Sequence, residues 1–504
     1  MTGGEEDAVG TAAGTGPVQI PEAREFRLAY RSIGFWEALA MSVAAMGPLL
    51  GALGVAPLIA SQAGFSAPFI FLVCWIAMFI VAATIARFSR VLPSAASIYT
   101  YISHGLGERT GFLSAWLSFM YYFAFVPLLL LGFGLFAESG FDFVFGISID
   151  WYWWVLIAWA IVLVLSIVGI KLSMRVDLLF AVITDITLLV VALGVIVSVI
   201  SNGDFTLSPL SPTHAPTDFT GLSLAIAFGV LIFLGFEQSF TLSEEVRDPH
   251  GHVPRAIYTS LALIGLLLFI ATFAMVLGFG PTGGEALGAA FAEEGTPWWE
   301  LTRIHLSDGW RTALQLVTIV SILANTIASH NAVVRIEYGM GRAGALPRAL
   351  GWTHRRFRTP VVAITIQSSL ALAVTLIAGL VWDPTTAFGF LGFMIGLAAA
   401  VAFILIMTAA LRYFHRERRE EGAFRNYVLP ILGILILVPV VYTSFYPNPG
   451  YPLNVAPWII VGWVVLGAIY LFWRESRREQ IDLDYAFRDL GESVPRAASD
   501  TEPR

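Results

Sequence analysis

One acidic residue, Glu237, stands inside a long apolar segment of the sequence. The segment covers residues 221–243, and Phe233, Gly235 and Phe236 directly precede the acid. An ionised carboxylate in an apolar environment costs roughly 3 kcal/mol or more unless it is paired or hydrated. Glu237 could therefore bind an ammonium group, take up a proton or link two helices. The alternative is a protonated, purely structural glutamate bonded to a neighbouring helix.

A second acid, Asp185, lies deep in the apolar segment 174–201. It is about ten residues from the start of that segment, which is roughly 15 Å along a helix. This depth is too great for its short side chain to reach the segment's end. Asp185 could hold a proton or Na⁺. Alternatively, it makes a structural hydrogen bond close to Thr184 or Thr187.

The elements that carry these acids are predicted to be membrane-spanning helices. The chain has 504 residues, of which 57% are hydrophobic and only 13% are charged, whereas about a quarter are charged in soluble proteins. Apolar runs of roughly 18 or more residues recur, which is the length of a spanning helix. The strands of a membrane β-barrel would be about ten residues long and would alternate in polarity. We therefore predict an all-α integral membrane protein.

The apolar runs divide the chain into spans and tails. Residues 94–106 are too polar and short to span, and residues 285–305 favour a surface helix in a long loop. The membrane domain covers residues 31–474, between a disordered tail at 1–30 and a charged tail at 475–504. We predict twelve spans, at residues 35–60, 68–90, 111–137, 152–170, 174–201, 221–243, 256–280, 310–336, 360–381, 385–411, 427–446 and 456–474.

The basic residues predict the orientation of these spans. With the N-terminus inside the cell, only Arg303 and Arg311 of the 29 Lys and Arg residues fall outside. Positive charge is retained on the cytoplasmic side of membrane proteins. We therefore expect a multi-pass protein of the cell membrane with both termini cytoplasmic. The preference for Arg over Lys is typical of a GC-rich bacterial genome, which predicts the bacterial inner membrane.

Two of the spans, the first and the sixth, contain residues that interrupt helices. The first holds Gly47, Pro48 and Gly51, and the sixth holds Gly235 beside Glu237. Proline removes a backbone donor and clashes with the preceding turn, and glycine has low helix propensity. Matching interruptions in two halves point to a transporter with inverted repeats. Their free N–H groups suit a carboxylate and their free C=O groups suit an ammonium or a cation.

Three motifs make the chain similar to a known family, and they lie in order along residues 35–425. They resemble the amino acid permeases of the amino acid–polyamine–organocation (APC) superfamily. The motifs are Leu92-Pro-Ser-Ala-Ala-Ser-Ile-Tyr99-x-Tyr101 with Leu106-Gly107 and Gly111-Phe112; Phe233-Leu-Gly-Phe-Glu237 with Glu244-Glu-Val-Arg-Asp-Pro249 and Val253-Pro-Arg-Ala-Ile257; and Arg335-x-x-Tyr338-x-Met-Gly-Arg342-Ala-Gly-Ala-Leu-Pro347 with Thr359-Pro360.

The resemblance implies a fold and a place for the substrate. The fold would have two inverted five-helix repeats, helices 1–5 and 6–10, with helices 1 and 6 broken, plus two C-terminal helices. The substrate would be an amino acid, a polyamine or a related amine, held between helices one, three, six, eight and ten. Many members carry a Gly-Ser-Gly-like stretch in helix one. Here that stretch is Leu50-Gly51-Ala52, and its bulkier residues keep amine substrates open.

The candidate site residues lie on these helices. Phe233, Phe236 and the neighbouring Tyr121 and Tyr122 could stack on an ammonium group, or could simply pack. Polar groups of the eighth span, including His330, could line the site or serve helix packing, and Ser329 could also ligate Na⁺. The predicted substrate-binding residues are Gly47, Gly51, Ala52, Leu53, Tyr121, Phe233, Gly235, Phe236, Asn325 and Ser329, and the predicted coupling residues are Glu237 and Asp185.

These observations favour a secondary carrier for amino acids or amines that works by proton-coupled uptake. The open alternatives are an exchanger, a Na⁺-coupled symporter and a sensor that binds the same ligands without transport. The expected partners are the small-molecule substrate, H⁺ or Na⁺, and the lipid bilayer, without nucleic acid, metal or cofactor. A Gly-x-Gly-x-x-Gly string at residues 278–283 ends a membrane helix, whereas a dinucleotide site needs a strand before it. No catalytic residues are predicted.

Overall fold

The computed structural model describes most of the predicted membrane domain. Four parts of the predicted chain organisation lie outside the described residues: the N-terminal tail at 1–30, residues 238–245 with Glu244 and Glu245, residues 285–286 and 288–295 of the predicted surface helix, and residues 478–504 of the C-terminal tail. The described residues are 34–92, 97–169, 174–215, 219–237, 246–248, 251–281, 287, 296–342, 346–354, 356–357, 359–417, 422–447 and 449–477.

All regular elements in these ranges are helical. Short 3₁₀ turns connect some of them, at Gly64–Ser66, Ser208–Leu210, Pro212–His214, Arg348–Gly351 and Leu453–Val455. The α-helices are α1 (Phe35–Met46), α2 (Pro48–Leu50, continuing through a π-helical turn at Gly51–Val55 into Ala56–Ala63), α3 (Ala67–Val91), α4 (Ser97–Leu106), α5 (Glu108–Phe145), α6 (Trp151–Val168), α7 (Met174–Ser201), α8 (Phe219–Ile232), α9 (His252–Phe279), α10 (Trp298–His305), α11 (Asp308–Arg342), α12 (Val361–Trp382), α13 (Pro384–Glu417), α14 (Leu429–Phe445, after a π-helical turn at Phe424–Val428) and α15 (Ala456–Ser476).

The helix lengths confirm the predicted class, an all-helical protein that crosses the membrane several times. Ten helical segments in the described ranges are long and apolar enough to span, with Phe35–Phe88 taken as one segment. The 14 residues of α8 are too few to cross alone, and residues 238–243 of the predicted sixth span lie outside the described residues. The count of twelve spans therefore stays a prediction.

The helices divide into a central group and a lipid-facing group. For each helix we compare the buried share of its most apolar 18 residues. This share is 83% for α13 and 78% for α5, but only 22% for the segment that contains α15. Helix α5 packs against both α11 and α13. Between α5 and α11 the contact is close at Gly140, where an added Cβ would lie 3.0 Å from Ile319. The central group therefore forms the protein interior, and α8 packs against both α2 and α13.

Helix α15 is attached to α5 by a reciprocal pair of tryptophans. The indole N–H of Trp116 donates to the carbonyl of Trp463 at 2.9 Å, and the indole N–H of Trp463 donates to the carbonyl of Trp116 at 2.8 Å. The two rings stack with centroids 4.8 Å apart. Both donors are thus satisfied inside the membrane, where water cannot replace a lost hydrogen bond.

We expect Gly467→Ala to weaken this attachment. The added Cβ would lie 2.5 Å from Cδ1 of Trp116, and the hydrogen-bonded ring cannot move away cheaply. Overpacking of this kind costs about 1–3 kcal/mol, which exceeds the gain of about 1 kcal/mol from replacing glycine in a helix. The thermal unfolding temperature in detergent should fall. Gly462→Ala on the same helix is the matched control, because its added Cβ would have no atom within 4 Å. The unfolding temperature of this control should not fall.

Candidate substrate site

The first helix interruption lies between α1 and α2 at Gly47. This residue has φ 54° and ψ 59°, a left-handed conformation that favours glycine. Its N–H donates to the carbonyl of Ala44 at 3.2 Å and closes α1. Pro48 then begins α2, where its missing N–H costs nothing. The side-chain amide of Asn325 lies against Gly47, on the side where any other residue would carry a Cβ.

The π-helical turn at Gly51–Val55 follows directly. Such turns within α-helices are frequent at functional sites. Neighbouring helices come very close here. An added Cβ on Gly51 would lie 3.1 Å from Cγ1 of Ile232 in α8, and one on Gly54 would lie 2.8 Å from the ring of Phe388 in α13. The carbonyl of Ala52 accepts a hydrogen bond from the indole N–H of Trp298 at 3.0 Å.

The second interruption follows α8. The chain turns from Phe233 to Glu237 instead of continuing the helix. Gly235 has φ 109°, and an added Cβ would lie 2.6 Å from the carbonyl carbon and oxygen of Ala45. The hydroxyl of Ser42 donates to the carbonyl of Phe236 at 3.1 Å. The end of α1 and the second interruption are therefore in direct backbone contact.

Glu237 joins the second interruption to α5. Its Oε2 accepts from the N–H of Gly235 at 3.0 Å, and its Oε1 accepts from the hydroxyl of Tyr122 at 3.0 Å. The side chain is buried. A tyrosine hydroxyl can donate to an ionised carboxylate or accept from a protonated one. The Tyr122–Glu237 pair can therefore stay hydrogen-bonded while the carboxyl gains or loses a proton.

A small cavity lies beside the first interruption. Its water-accessible volume is about 10 Å³, close to what one water molecule needs, so the helices around it must separate before a larger molecule enters. The cavity is lined by Met46, Gly47, Leu50, Gly51, Val55, Phe125, Leu128, Leu231, Ile232 and Asn325.

Three of the predicted binding residues, Gly47, Gly51 and Asn325, line this cavity. The hydroxyl of Ser329 donates to Oδ1 of Asn325 at 3.2 Å, which orients the amide. Ala52 and Leu53 are buried in the π-helical turn but do not line the cavity. Gly235 lies at the contact with α1 rather than at the cavity wall.

The predicted aromatic residues are buried in the protein interior. Phe233 packs against Phe71 with ring centroids 5.2 Å apart, and Phe236 packs against Phe403 at 6.2 Å. The ring of Tyr121 lies 4.5 Å from that of Tyr122. None of the three lines the described cavity. In this conformation they contribute packing around the second interruption.

Two other candidates lie away from the cavity. Nδ1 of His330 is hydrogen-bonded to Ser166 at 3.1 Å, and Nε2 is hydrogen-bonded to Ser368 at 2.7 Å, so this ring joins α11 to α6 and α12. Asp185 lies on α7, and its Oδ1 is buried without a hydrogen-bond partner among the described residues. The structural alternative for Asp185, a bond to Thr184 or Thr187, is not made by this oxygen.

Several residues at the site were not in the final set of predicted binding and coupling residues. Tyr122 holds Glu237, Trp298 holds the π-helical turn, and Leu128, Leu231 and Ile232 form cavity walls. Tyr122 was a candidate for stacking, but nothing in the sequence distinguished it from Tyr121 as the partner of Glu237. The cavity-lining leucines carry no sequence signal, because leucine occurs throughout the spans.

The all-helical protein has several helices of membrane-spanning length, and the break after Met46 contacts the turn after Ile232 beside a small cavity. This is the architecture expected of a membrane transporter. The sequence profile described as amino acid permease matches residues 40–478. The chain belongs to the amino acid permease family, whose members transport and are not enzymes.

Several curated relatives share most of their length with the chain. The low-affinity putrescine importer PlaP of Escherichia coli (strain K12) is 25% identical over 79% of this chain and 83% of its own length. The branched-chain amino acid permease BcaP of Lactococcus lactis subsp. cremoris is 24% identical over 84% of this chain and 90% of its own. The serine/threonine exchanger SteT of Bacillus subtilis is 26% identical over 72% and 77%.

Solved structures show the same fold at low sequence identity. The manganese transporter of Eremococcus coleocola, crystallised with an aromatic bis-isothiourea compound, superposes with a TM-score of 0.54. The alignment covers 90% of this chain and 100% of that one at 14% identity. At this identity the likeness concerns the arrangement of helices and carries nothing about the transported ion or molecule.

Proposed function

We propose that the protein is a secondary active transporter that takes up amino acids or related amines by alternating access, coupled to protons. It would act in the bacterial inner membrane with both termini in the cytoplasm. Its twelve spans would form two inverted five-helix repeats, with helices 1 and 6 broken, plus two C-terminal helices. The observation that carries the proposal is the buried Glu237, which connects the second interruption to α5 through Tyr122.

The two interruptions offer complementary groups to a zwitterion. The first N–H groups of a helix have no intrahelical partner, so the start of α2 beside Gly47 suits a carboxylate. The carbonyl groups at the ends of α1 and α8 suit an ammonium group. Asn325, oriented by Ser329, adds an amide at the same place. Relatives that import putrescine or branched-chain amino acids support this substrate range.

The test is uptake by purified protein in proteoliposomes. The labelled panel contains neutral, acidic and basic amino acids and polyamines, with and without an inward proton gradient. Accumulation of one class driven by the gradient is the expected result. Uptake only into vesicles preloaded with a related compound would make the protein an exchanger. Uptake that requires Na⁺ would show that Na⁺, and not H⁺, is the coupling ion. Binding without any flux would overturn the transport proposal in favour of a sensor.

Asp185 should contribute to coupling. A buried carboxyl oxygen without a partner is costly in a membrane helix, and binding a proton or cation removes that cost. We expect Asp185→Asn to transport substrate down its gradient but to accumulate it several-fold less than wild type. The measurement is the steady-state ratio of substrate inside to outside at fixed proton gradient. Thr187→Val, two residues away on the same helix, is the control, and an Asp185→Asn ratio equal to wild type would assign the acid a structural role.

A further inference from the structure

We propose that the cavity beside Gly47 is the subsite for an uncharged aliphatic side chain, so that the preferred substrates are neutral amino acids with branched aliphatic side chains. This inference rests on the proposed transport of amino acids or amines, a range that spans charged and uncharged substrates. The chemistry of the cavity walls favours the uncharged substrates within that range.

Three helices contribute aliphatic side chains to the cavity walls, which also include Met46 and the aromatic Phe125. Leu50 and Val55 come from α2, Leu128 from α5, and Leu231 and Ile232 from α8. Dispersion contacts and removal of apolar surface from water favour a hydrocarbon side chain among such groups. The side-chain amide of Asn325 stands at one end, beside the backbone of the first interruption.

A charged side chain would find no counter-charge among these lining residues. None of the ten described residues around the cavity is acidic or basic. Glu237 already accepts a hydrogen bond on each carboxylate oxygen, from Gly235 and from Tyr122. A desolvated ammonium or carboxylate without a partner is strongly disfavoured. The second ammonium of a diamine, or the side-chain charge of lysine or glutamate, would be buried in this cavity without a partner.

The surrounding glycines show how closely the walls are packed. An added Cβ on Gly51 would lie 3.1 Å from Cγ1 of Ile232, and one on Gly132 would lie 3.2 Å from Cδ1 of Leu50. In this conformation these contacts leave the branched side chains little room to move aside, so a substrate side chain enters only when the helices separate. Substrate selection should therefore respond to the volume of the wall residues, because one methylene in an apolar pocket changes discrimination about tenfold or more.

The experiment measures competition and uptake in proteoliposomes under an inward proton gradient. Labelled leucine, valine, alanine, phenylalanine, lysine, glutamate and putrescine are compared. We expect leucine and valine to have a KM at least about tenfold below that of alanine. Lysine, glutamate and putrescine should neither enter nor compete. Transport of putrescine or lysine in preference to leucine would overturn the subsite while leaving the proposed transporter intact. No flux for any compound would instead remove the transporter on which the subsite rests.

Two neighbouring leucines of α5 provide a matched pair of variants. Leu128 lines the cavity, whereas Leu129 is equally buried and does not. Leu128→Ala should raise the uptake of phenylalanine relative to valine about tenfold, and Leu129→Ala should leave that ratio unchanged. Equal ratios in the two variants would contradict the subsite. If Leu128→Ala does not elute as a folded species, Ile232→Val removes one methylene from the same wall, and its selectivity must then shift in the same direction.

Discussion

Replacing Glu237 by glutamine should abolish proton-driven accumulation while retaining exchange of substrate across the membrane. Glutamine has the same shape, and its carbonyl can still accept from the N–H of Gly235 or from the hydroxyl of Tyr122. It cannot take up a proton. A gradient of one pH unit is worth about 1.4 kcal/mol, so a carrier that moves one proton with each substrate can reach about tenfold accumulation. The Glu237→Gln variant should reach a ratio of about one.

The readout is the steady-state ratio of substrate inside to outside the vesicles, together with the rate of exchange between equal concentrations. Tyr122→Phe serves as the control, because it removes one hydrogen bond and keeps the carboxyl group. It should slow transport without abolishing accumulation. Wild-type accumulation by Glu237→Gln across the pH range would refute the coupling role. Loss of exchange as well would show that the acid also binds substrate.

Gly235→Ala should cause the second large effect, a loss of both transport and thermal stability. The residue has φ 109°, and an added Cβ would lie 2.6 Å from the backbone carbonyl of Ala45. A non-glycine residue in such a conformation costs about 1–3 kcal/mol, and the clash is with backbone that cannot rotate away. Relief requires the second interruption to separate from α1, which would break the Ser42–Phe236 hydrogen bond.

The measurements for Gly235→Ala are the unfolding temperature in detergent and the initial rate of uptake. Gly389→Ala in α13 is the matched control, because its added Cβ would meet only Cδ2 of Leu58 at an ordinary 3.5 Å. The control should keep both properties. A Gly235→Ala variant as stable and active as the control would mean that the two interruptions separate freely during transport and that their contact has no energetic role.

The class of protein and the positions of the helix interruptions were predictable from the sequence because local chemistry determines them. A run of about twenty apolar residues can satisfy its backbone in a membrane only as a helix, and this predicted the membrane fold. Pro48 and the adjacent Gly47 disfavour the interior of a helix, and the structure has α1 ending at Met46 and Pro48 starting the next helix. The acid Glu237 could be selected because an unpaired charge in a membrane is costly whatever its neighbours are.

The facing of side chains was decided only by the tertiary structure. Tyr121 and Tyr122 are adjacent, yet one residue turns the helix by about 100°, and only Tyr122 meets Glu237. Asn325 reaches Gly47 while His330 binds Ser166 and Ser368. The sequence gives no amphipathic signal for such choices, because a helix that is apolar all round can present any face to protein or lipid. Partner, cavity wall and counter-charge are therefore set by how the helices pack, and composition alone does not contain that information.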